Sequence, residues 1–415
     1  MNTKWQKIIK QFNTPDTALV VSAWPVTGKN AVNHGIAWYT QMTVSEIVKK
    51  TGKRFVILAE KNHDNKPQLL ANGKILVLRI FDNRRKSLYP VILQYLQQFS
   101  QIKKVYVHSE FGVNGGMLHF ALILPFLAMI RAMGKQVYYY SHNVVTDVAM
   151  LAGHLNIPIW QSGVLNMFVR IYYKLLELLC EKIIVLDPIL GEKLANFVND
   201  SKVVRLNMPV EQKKQLNKQT ARKIRGLPQN KTIITYFGFV SWYKGADWLI
   251  KHFDNLQDKN MMLVIAGGPS YSLAEKKHYK DYYQGLLKIA EANPQIKITG
   301  FVPEETIGQY MASANLVVLP YRGFMGSSGS LSQALSYSKP FMVSNKMQEI
   351  LQDVDCGDEL VFPMNKVGMN KIMKVVGDKT KLETMGRVAS EMADSRNLNR
   401  LAKIEYDTLY GPAVR

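Results

Sequence analysis

One pattern, met twice, constrains this chain of 415 residues more than any other feature. A short continuous apolar run is followed by a polar or Gly-rich loop, and then by a helix-forming stretch. In the first half the runs are ALVVSAW, RFVILAE, KILVLRI, KVYVHSE and QVYYYSH, finished by EKIIVLD and KVVRL. In the second half they are TIITYFG, MMLVIAGG, IKITGFV, ANLVVLPY and KPFMVSN. Strands with no polar face, alternating with helices, indicate a parallel sheet covered on both sides. The expected fold class is therefore α/β, with two Rossmann-like doubly wound domains facing each other across a cleft and binding ligands at the carboxyl ends of their strands. The polar, basic text from Met208 to Gln229 reads as the connection. Expected boundaries are 1–210 for the N-terminal domain, 211–229 for the linker, 230–390 for the second domain and 391–415 for a terminal segment.

Composition narrows the classes. With 47 % hydrophobic and 20 % charged residues the chain is globular, not disordered or collagenous. Cys180 and Cys356 lie far apart and form no ligand spacing, which points to a reducing compartment. The opening residues hold no apolar core of signal-peptide length. The longest apolar stretch, Met117 to Ile130, is shorter than the ~20 residues a bilayer span needs, so a buried helix is preferred there over an interfacial one. The formal charge of +21 is uneven: residues 1–131 carry 18 Lys and Arg against 6 Asp and Glu, a net of +12. Such asymmetry suggests an anionic partner. No helix-turn-helix, RRM or zinc pattern accompanies the charge, so a phospholipid surface is expected and nucleic acid is not. Arg84, Arg85, Lys86, Lys103 and Lys104, in a stretch free of acids, are the expected electrostatic anchor.

Two segments of the second half carry candidate chemistry. In YFGFVSWYKGADWLI, Gly238 lets the backbone approach a ligand, and Lys244 and Gly245 precede a helix whose N–H groups and positive end suit a phosphate. In LVVLPYRGFMGSSGSLSQALSYSKPFMVSN, a buried strand runs into a Gly/Ser loop and a helix. The N–H groups of Ser328, Gly329, Ser330 and Leu331 form a second possible anion site, and Arg322 could pair with the same anion bidentately. A tight turn of small residues is the competing reading. DVD at 353–355 falls in an expected surface loop and is not read as a metal motif. The histidines lack cluster spacing, although His108, His119 and Glu110 gather near one strand end and His142-Asn143 ends another.

In order and spacing, these segments resemble the retaining GT-B glycosyltransferases of family 4, over nearly the whole chain. YFGFVSWYKGADWLI is similar to the family's phosphate-binding segment, VIAGG to its following strand and turn, and ITGFVPEETIGQYMASANLVVLPY to its base-binding stretch. VHSEFGVNGG and VYYYSHNV are similar to elements of the N-terminal domain, and SRNLNRLAKIEYDTLY to the helix that crosses back onto it. The resemblance implies a hexosyl-type, metal-independent glycosyltransferase without cofactor, using a nucleotide-diphosphate sugar as co-substrate. Lys244, Arg322 and His142 are then the expected catalytic residues. Gly35, Gly238, Gly245, Gly267, Gly268, Phe301, Val302, Ser328, Gly329, Ser330, Leu331 and Gln333 are expected on the donor side, and His108, Glu110 and Asn143 on the acceptor or sugar side. The expected acceptor is a lipid-linked or cell-surface glycan, reached from the cytoplasm by peripheral association with the inner face of the membrane.

The chain departs from the family pattern where two glutamates usually hold the donor sugar, since Met325 and Gln333 occupy those places. An arginine usual before the Lys-Gly pair is also missing, with Phe239 and Ser241 nearby. These departures keep two alternatives open: a non-catalytic GT-B partner protein, and a nucleotide-sugar epimerase, for which Glu110 and Asp147 are the N-terminal acid/base candidates.

Overall fold

The computed structural model describes residues 3–26, 35–62, 65–83, 85–110, 117–152, 157–256, 258–270, 273–352, 354–355 and 357–411. The N-terminal sheet consists of β1 (Ala18–Val21), β2 (Phe55–Glu60), β3 (Gln68–Leu70), β4 (Ile75–Phe81), β5 (Lys104–Ser109), β6 (Gln136–Ser141), β7 (Lys182–Val185) and β8 (Val203–Arg205). They are ordered β3-β4-β2-β1-β5-β6-β7-β8, and every pairing is parallel except β3 on β4. Central β1 aligns Leu19 with Val56 on one side and Val105 on the other, all three inaccessible to water. The second sheet contains β9 (Thr232–Phe237), β10 (Met261–Ala266), β11 (Ile296–Ile298), β12 (Leu316–Leu319), β13 (Phe341–Ser344) and β14 (Val361–Phe362), in the order β11-β10-β9-β12-β13-β14, all parallel. Both are doubly wound, because each β-rich run is too apolar to leave either face in water.

The chain returns to its first domain at the end. Asn397 bridges Val210, and Val210 N–H donates to Arg396 O at 2.8 Å, so the outgoing and returning crossings lie side by side. Helix Leu398–Glu405 then packs on helix Gly35–Thr51. Its last residue, Glu405, is buried beneath the sheet, where Tyr39 OH donates to Oε2 at 2.8 Å and Tyr140 OH to Oε1 at 2.6 Å. Tyr410 meets Tyr140 hydroxyl to hydroxyl at 3.1 Å, and Tyr106 OH donates to Leu409 O at 2.7 Å. A carboxyl removed from water must be hydrogen-bonded or neutral.

The segment from Met117 is a helix, Met117–Ala132, with Ile123, Phe126, Leu127 and Ile130 buried. Its other side is not covered: Leu122 and Met129 are exposed. The five-residue basic anchor does not form. Arg85 and Lys86 follow β4 at the carboxyl edge of the sheet, whereas Lys103 and Lys104 enter β5 at the amino edge, and Arg84 lies outside the described residues. Arg85 is also paired with Asp82, and Lys104 sits over the Tyr138 ring.

Burial raises the Glu405 carboxyl from 4.5 to about 7, against the two tyrosine hydrogen bonds that favour its charge. The folded state therefore holds this proton more tightly than the unfolded chain. The resulting stabilisation is complete below the unfolded value and is lost as pH rises through about 7. Urea melts should lose on the order of 3 kcal/mol between about pH 5 and pH 8 from this group. Glu405→Gln should flatten that part of the profile.

Candidate functional site

The site forms where the carboxyl edges of the two sheets meet. On the second domain, β9 ends in Gly238 at φ +119°, and a short 3-10 turn, Trp242–Lys244, leads through Gly245 at φ +72° into helix Ala246–Asp254. Both glycines are required by position. A Cβ on Gly245 would fall 1.8 Å from Pro320 O, so the Lys244 turn is seated directly on the backbone that leaves β12. A Cβ on Gly238 would lie 2.6 Å from Ser330 Oγ and 3.3 Å from Lys244 Nζ. The missing side chain thus leaves a cradle bounded by an ammonium, a hydroxyl and a helix start. Gly267 and Gly268 fit the same rule, packing against Gly238 O and Phe301 N. Phe301 is exposed beside them and Val302 is buried.

Helix Gly329–Ser336 closes the cradle, capped by Ser328, whose Oγ accepts from Leu331 N–H at 3.2 Å. The cap engages the Leu331 donor that the sequence offered to an anion. The N–H groups of Gly329 and Ser330 remain as the open first-turn donors. A Cβ on Gly329 would meet nothing within 4 Å, so this glycine borders open space. One turn on, Gln333 Oε1 is buried without a hydrogen-bond partner. Native structures rarely leave such an atom unpaired.

Lys244 is half-buried between two phenol rings, with Nζ 5.6 Å from the Tyr321 centroid and 6.0 Å from that of Tyr243. Burial works against its charge, but Tyr321, Tyr243 and the Glu110 carboxyl more than offset this and hold its pKa above the ordinary lysine value. Tyr321 also shares a hydrogen bond of 3.0 Å with Ser328 Oγ, which links the lysine to the helix cap. Neither tyrosine was singled out in the sequence; both follow from the aromatic residues flanking the Lys-Gly pair and the Pro-Tyr end of β12.

Arg322 is placed differently from the sequence expectation. Its Nη1 and Nη2 each donate to an Asp247 carboxylate oxygen at 2.8 Å, Nη1 also donates to Trp242 O, and the guanidinium lies 4.7 Å from the Trp242 ring. Its N–H donates to Tyr243 O at 2.7 Å. The guanidinium fork is therefore committed to Asp247, and Arg322 acts as a brace that fixes the Lys244 turn.

On the N-terminal domain, Asn143 follows β6, and its Nδ2 donates to Glu110 Oε1 at 3.3 Å. Burial raises the Glu110 carboxyl, opposed by the Asn143 hydrogen bond and by Lys244 across the cleft. His108 Nδ1 and His142 Nε2 are 3.1 Å apart, with Tyr39 against both rings and Tyr140 stacked on His108 at 4.1 Å. Desolvation holds both imidazoles neutral, lowering His142 to about 3. The structure thus places His142 in a buried pair behind Asn143, connected through Tyr39 and Tyr140 to Glu405. Gly35 opens helix Gly35–Thr51 on this domain and takes no part in the described contacts of the cradle. Residues 111–116, matched in the sequence to a Gly-rich element, lie outside the described residues, as does Asp353.

The domains touch at this point. Asn143 pairs with Gly326 in an antiparallel bridge, and Val144 N–H donates to Met325 O. Met325 is buried with Val145, Val148 and Leu151 of the N-terminal domain, against Met150, Leu165 and Tyr243. The side chain standing where a sugar-binding glutamate was sought is an apolar plug between domains.

Residues 231–375 match the family model described as Glycosyl transferases group 1. Among solved structures, sucrose-phosphate synthase from Thermosynechococcus elongatus superposes with a TM-score of 0.71 at 16% identity, covering 95% of this chain and 98% of that one. HepE from Anabaena, in complex with UDP and glucose, gives 0.67 at 14% identity over 95% and 99% of the two chains. WaaG, described as a glycosyltransferase involved in lipopolysaccharide biosynthesis, gives 0.64 at 12% identity over 95% and 100%. No curated protein matches the chain in sequence. The architecture is that of the GT-B glycosyltransferases, and its second domain carries the group 1 glycosyl transferase match.

Two substitutions test the cradle. Gly238→Ala should weaken binding of a diphosphate probe such as inorganic pyrophosphate by about tenfold or more in calorimetry, because the methyl enters the space between Ser330 and Lys244. Arg322→Ala should cost about 3 kcal/mol in denaturant melts, since it leaves the Asp247 carboxylate without its cationic partner in a mostly buried place, with the Tyr282 hydroxyl still donating to it. Asp247→Asn in the same background should recover part of that loss.

Proposed function

We propose that the chain transfers a sugar, with retention of anomeric configuration and without a metal, from a nucleotide-diphosphate sugar to a membrane-proximal lipid-linked or glycan acceptor. The observation that carries this reading is the convergence of Lys244 Nζ, Ser330 Oγ and the open start of helix Gly329–Ser336 on the space left by Gly238. That arrangement suits a diphosphate. As the bond between the anomeric carbon and the phosphate oxygen breaks, negative charge grows on the diphosphate. A preorganised ammonium and two N–H dipoles stabilise that charge more than they stabilise the intact donor. The acceptor hydroxyl forms the new bond on the same face and gives its proton to the departing phosphate oxygen, so the products are a glycoside and a nucleoside diphosphate. Phe301 supplies an exposed ring beside the turn where the base would lie. HepE and WaaG, whose names tie them to UDP-glucose and to lipopolysaccharide, are the kind of relatives that support this donor and acceptor class.

Lys244→Ala should lower kcat/KM for nucleoside diphosphate release by about a hundredfold, the usual cost of removing one transition-state donor. A donor panel assayed for release, with and without acceptor, measures this. Two observations favour a second reading: Met325 packs as a plug and Arg322 is taken by Asp247, as a non-catalytic GT-B partner would tolerate. Nucleotide binding by calorimetry with no release for any donor sugar would establish that reading instead.

A further inference from the structure

We infer that helices Ser162–Leu179 and Met117–Ala132 together form a docking face that inserts shallowly into an anionic bilayer. The inference rests, for its biological meaning, on the membrane-proximal acceptor proposed above. Helix Ser162–Leu179, with the 3-10 turn Ile159–Gln161 before it, exposes Ile159, Trp160, Val164, Met167, Phe168, Ile171, Leu175 and Leu178. Trp160 is 78%, Leu178 73% and Phe168 58% accessible. From Trp160 to Leu178 these side chains fall within an arc of roughly 100° at helical spacing. They make a continuous stripe along one side of the helix. Tyr173 and Leu176 are buried on the opposite side.

The neighbouring helix Met117–Ala132 packs beside it and extends the surface with exposed Leu122, Pro125 and Met129. A soluble monomer rarely leaves so contiguous an apolar area uncovered. Its occupant is identified by charge. Arg170, whose guanidinium lies 5.7 Å from the Phe197 ring centroid, and Lys174, paired with Glu177 at 3.0 Å, are exposed along one border of the stripe, where phosphate oxygens of a lipid surface can compete for their charged ends. The one carboxylate of the helix, Glu177, is tied to Lys174 and to Asn199 N–H. Residues 1–210 hold 25 Lys and Arg against 12 Asp and Glu, a net of +13. A second copy of the chain would bring two such domains together, whereas an anionic lipid surface neutralises the charge.

The stripe is also in register with the site. The inner side of the same helix, through Val169, Tyr172 and Tyr173, lines a small cavity beneath Ser109 and Asn143 at the carboxyl edge of the sheet. Docking by the outer side therefore holds the acceptor half of the cleft at the lipid interface.

The test is flotation of the full chain with phosphatidylcholine vesicles, with and without about a third phosphatidylglycerol, across a salt series. The comparison is between wild type and the triple variant Trp160→Ser, Phe168→Ser, Leu178→Ser. All three positions are exposed, so a thermal melt should match wild type. The wild type should float with anionic vesicles, and the triple variant should partition at least tenfold less. Arg170→Gln with Lys174→Gln should lower binding about threefold on anionic vesicles and leave neutral ones unaffected. Equal flotation of wild type and a folded triple variant would overturn the inference. So would a wild type that ignores every vesicle, whether it stays monomeric or forms a dimer that the triple variant abolishes. Nucleoside diphosphate release from soluble donor is read separately. A chain that docks through this stripe but releases no nucleotide leaves the docking face standing and removes the transferase reading.

Discussion

Everything in this molecule depends on the contact that brings two parallel-sheet edges face to face. The antiparallel bridge of Asn143 with Gly326 and the Met325 plug against Val145, Val148 and Leu151 hold the second domain over the first. Without that contact Glu110 and Lys244 would not share a cleft, and each would be a partly desolvated charge with no opposite sign nearby. Two devices back it up. The side-by-side crossings at Val210 and Asn397 tie the two passages between the domains together, and Glu405 anchors the returning chain under three tyrosines.

Around that contact, rigidity is concentrated behind the cleft. Arg322 braces the Lys244 turn through Asp247, Ser328 caps the helix whose start faces the cradle, and the neutral His108–His142 pair supports the strand ends that carry Glu110 and Asn143. Among the described residues, the cradle groups left uncommitted are the hydroxyl of Ser330 and two helix N–H groups, while the Lys244 ammonium is held by the Tyr321 hydroxyl and faces Glu110. An anion site works in this way because its donors are fixed by neighbours before the ligand arrives.

The residues that sequence reasoning placed in the site divide along the same line. Lys244, Gly238, Ser330 and Gly329 meet around one space, and the sequence could mark them because a Lys-Gly pair and a Gly/Ser turn at strand ends have a local geometry. Arg322 and His142 carry equally suggestive chemistry but are turned inward. Their partners, Asp247 and His108, lie 75 and 34 positions away, at separations that local pattern cannot pair. Tyr243, Tyr321 and Glu405 were not picked out, since a buried phenol or carboxyl reads in sequence like any other until its surroundings are known.

The sequence alone determined the architecture. Continuous apolar runs between helices demand parallel sheets with both faces covered, and their count and grouping set two doubly wound domains with ligand sites at the carboxyl edges. It did not mark β3 and β14, whose three and two strand residues stand in mostly polar or turn-rich text, whereas the equally short β8 and β11 lie in recognisable runs. Only the tertiary structure decided which charges are free and which apolar surface stays wet. The spread-out basic residues were divided between opposite sheet edges by the parallel connection. Helices that look like core in sequence kept one apolar side in solvent. Burial and pairing depend on neighbours from distant parts of the chain, and a linear pattern records composition and period but not those neighbours.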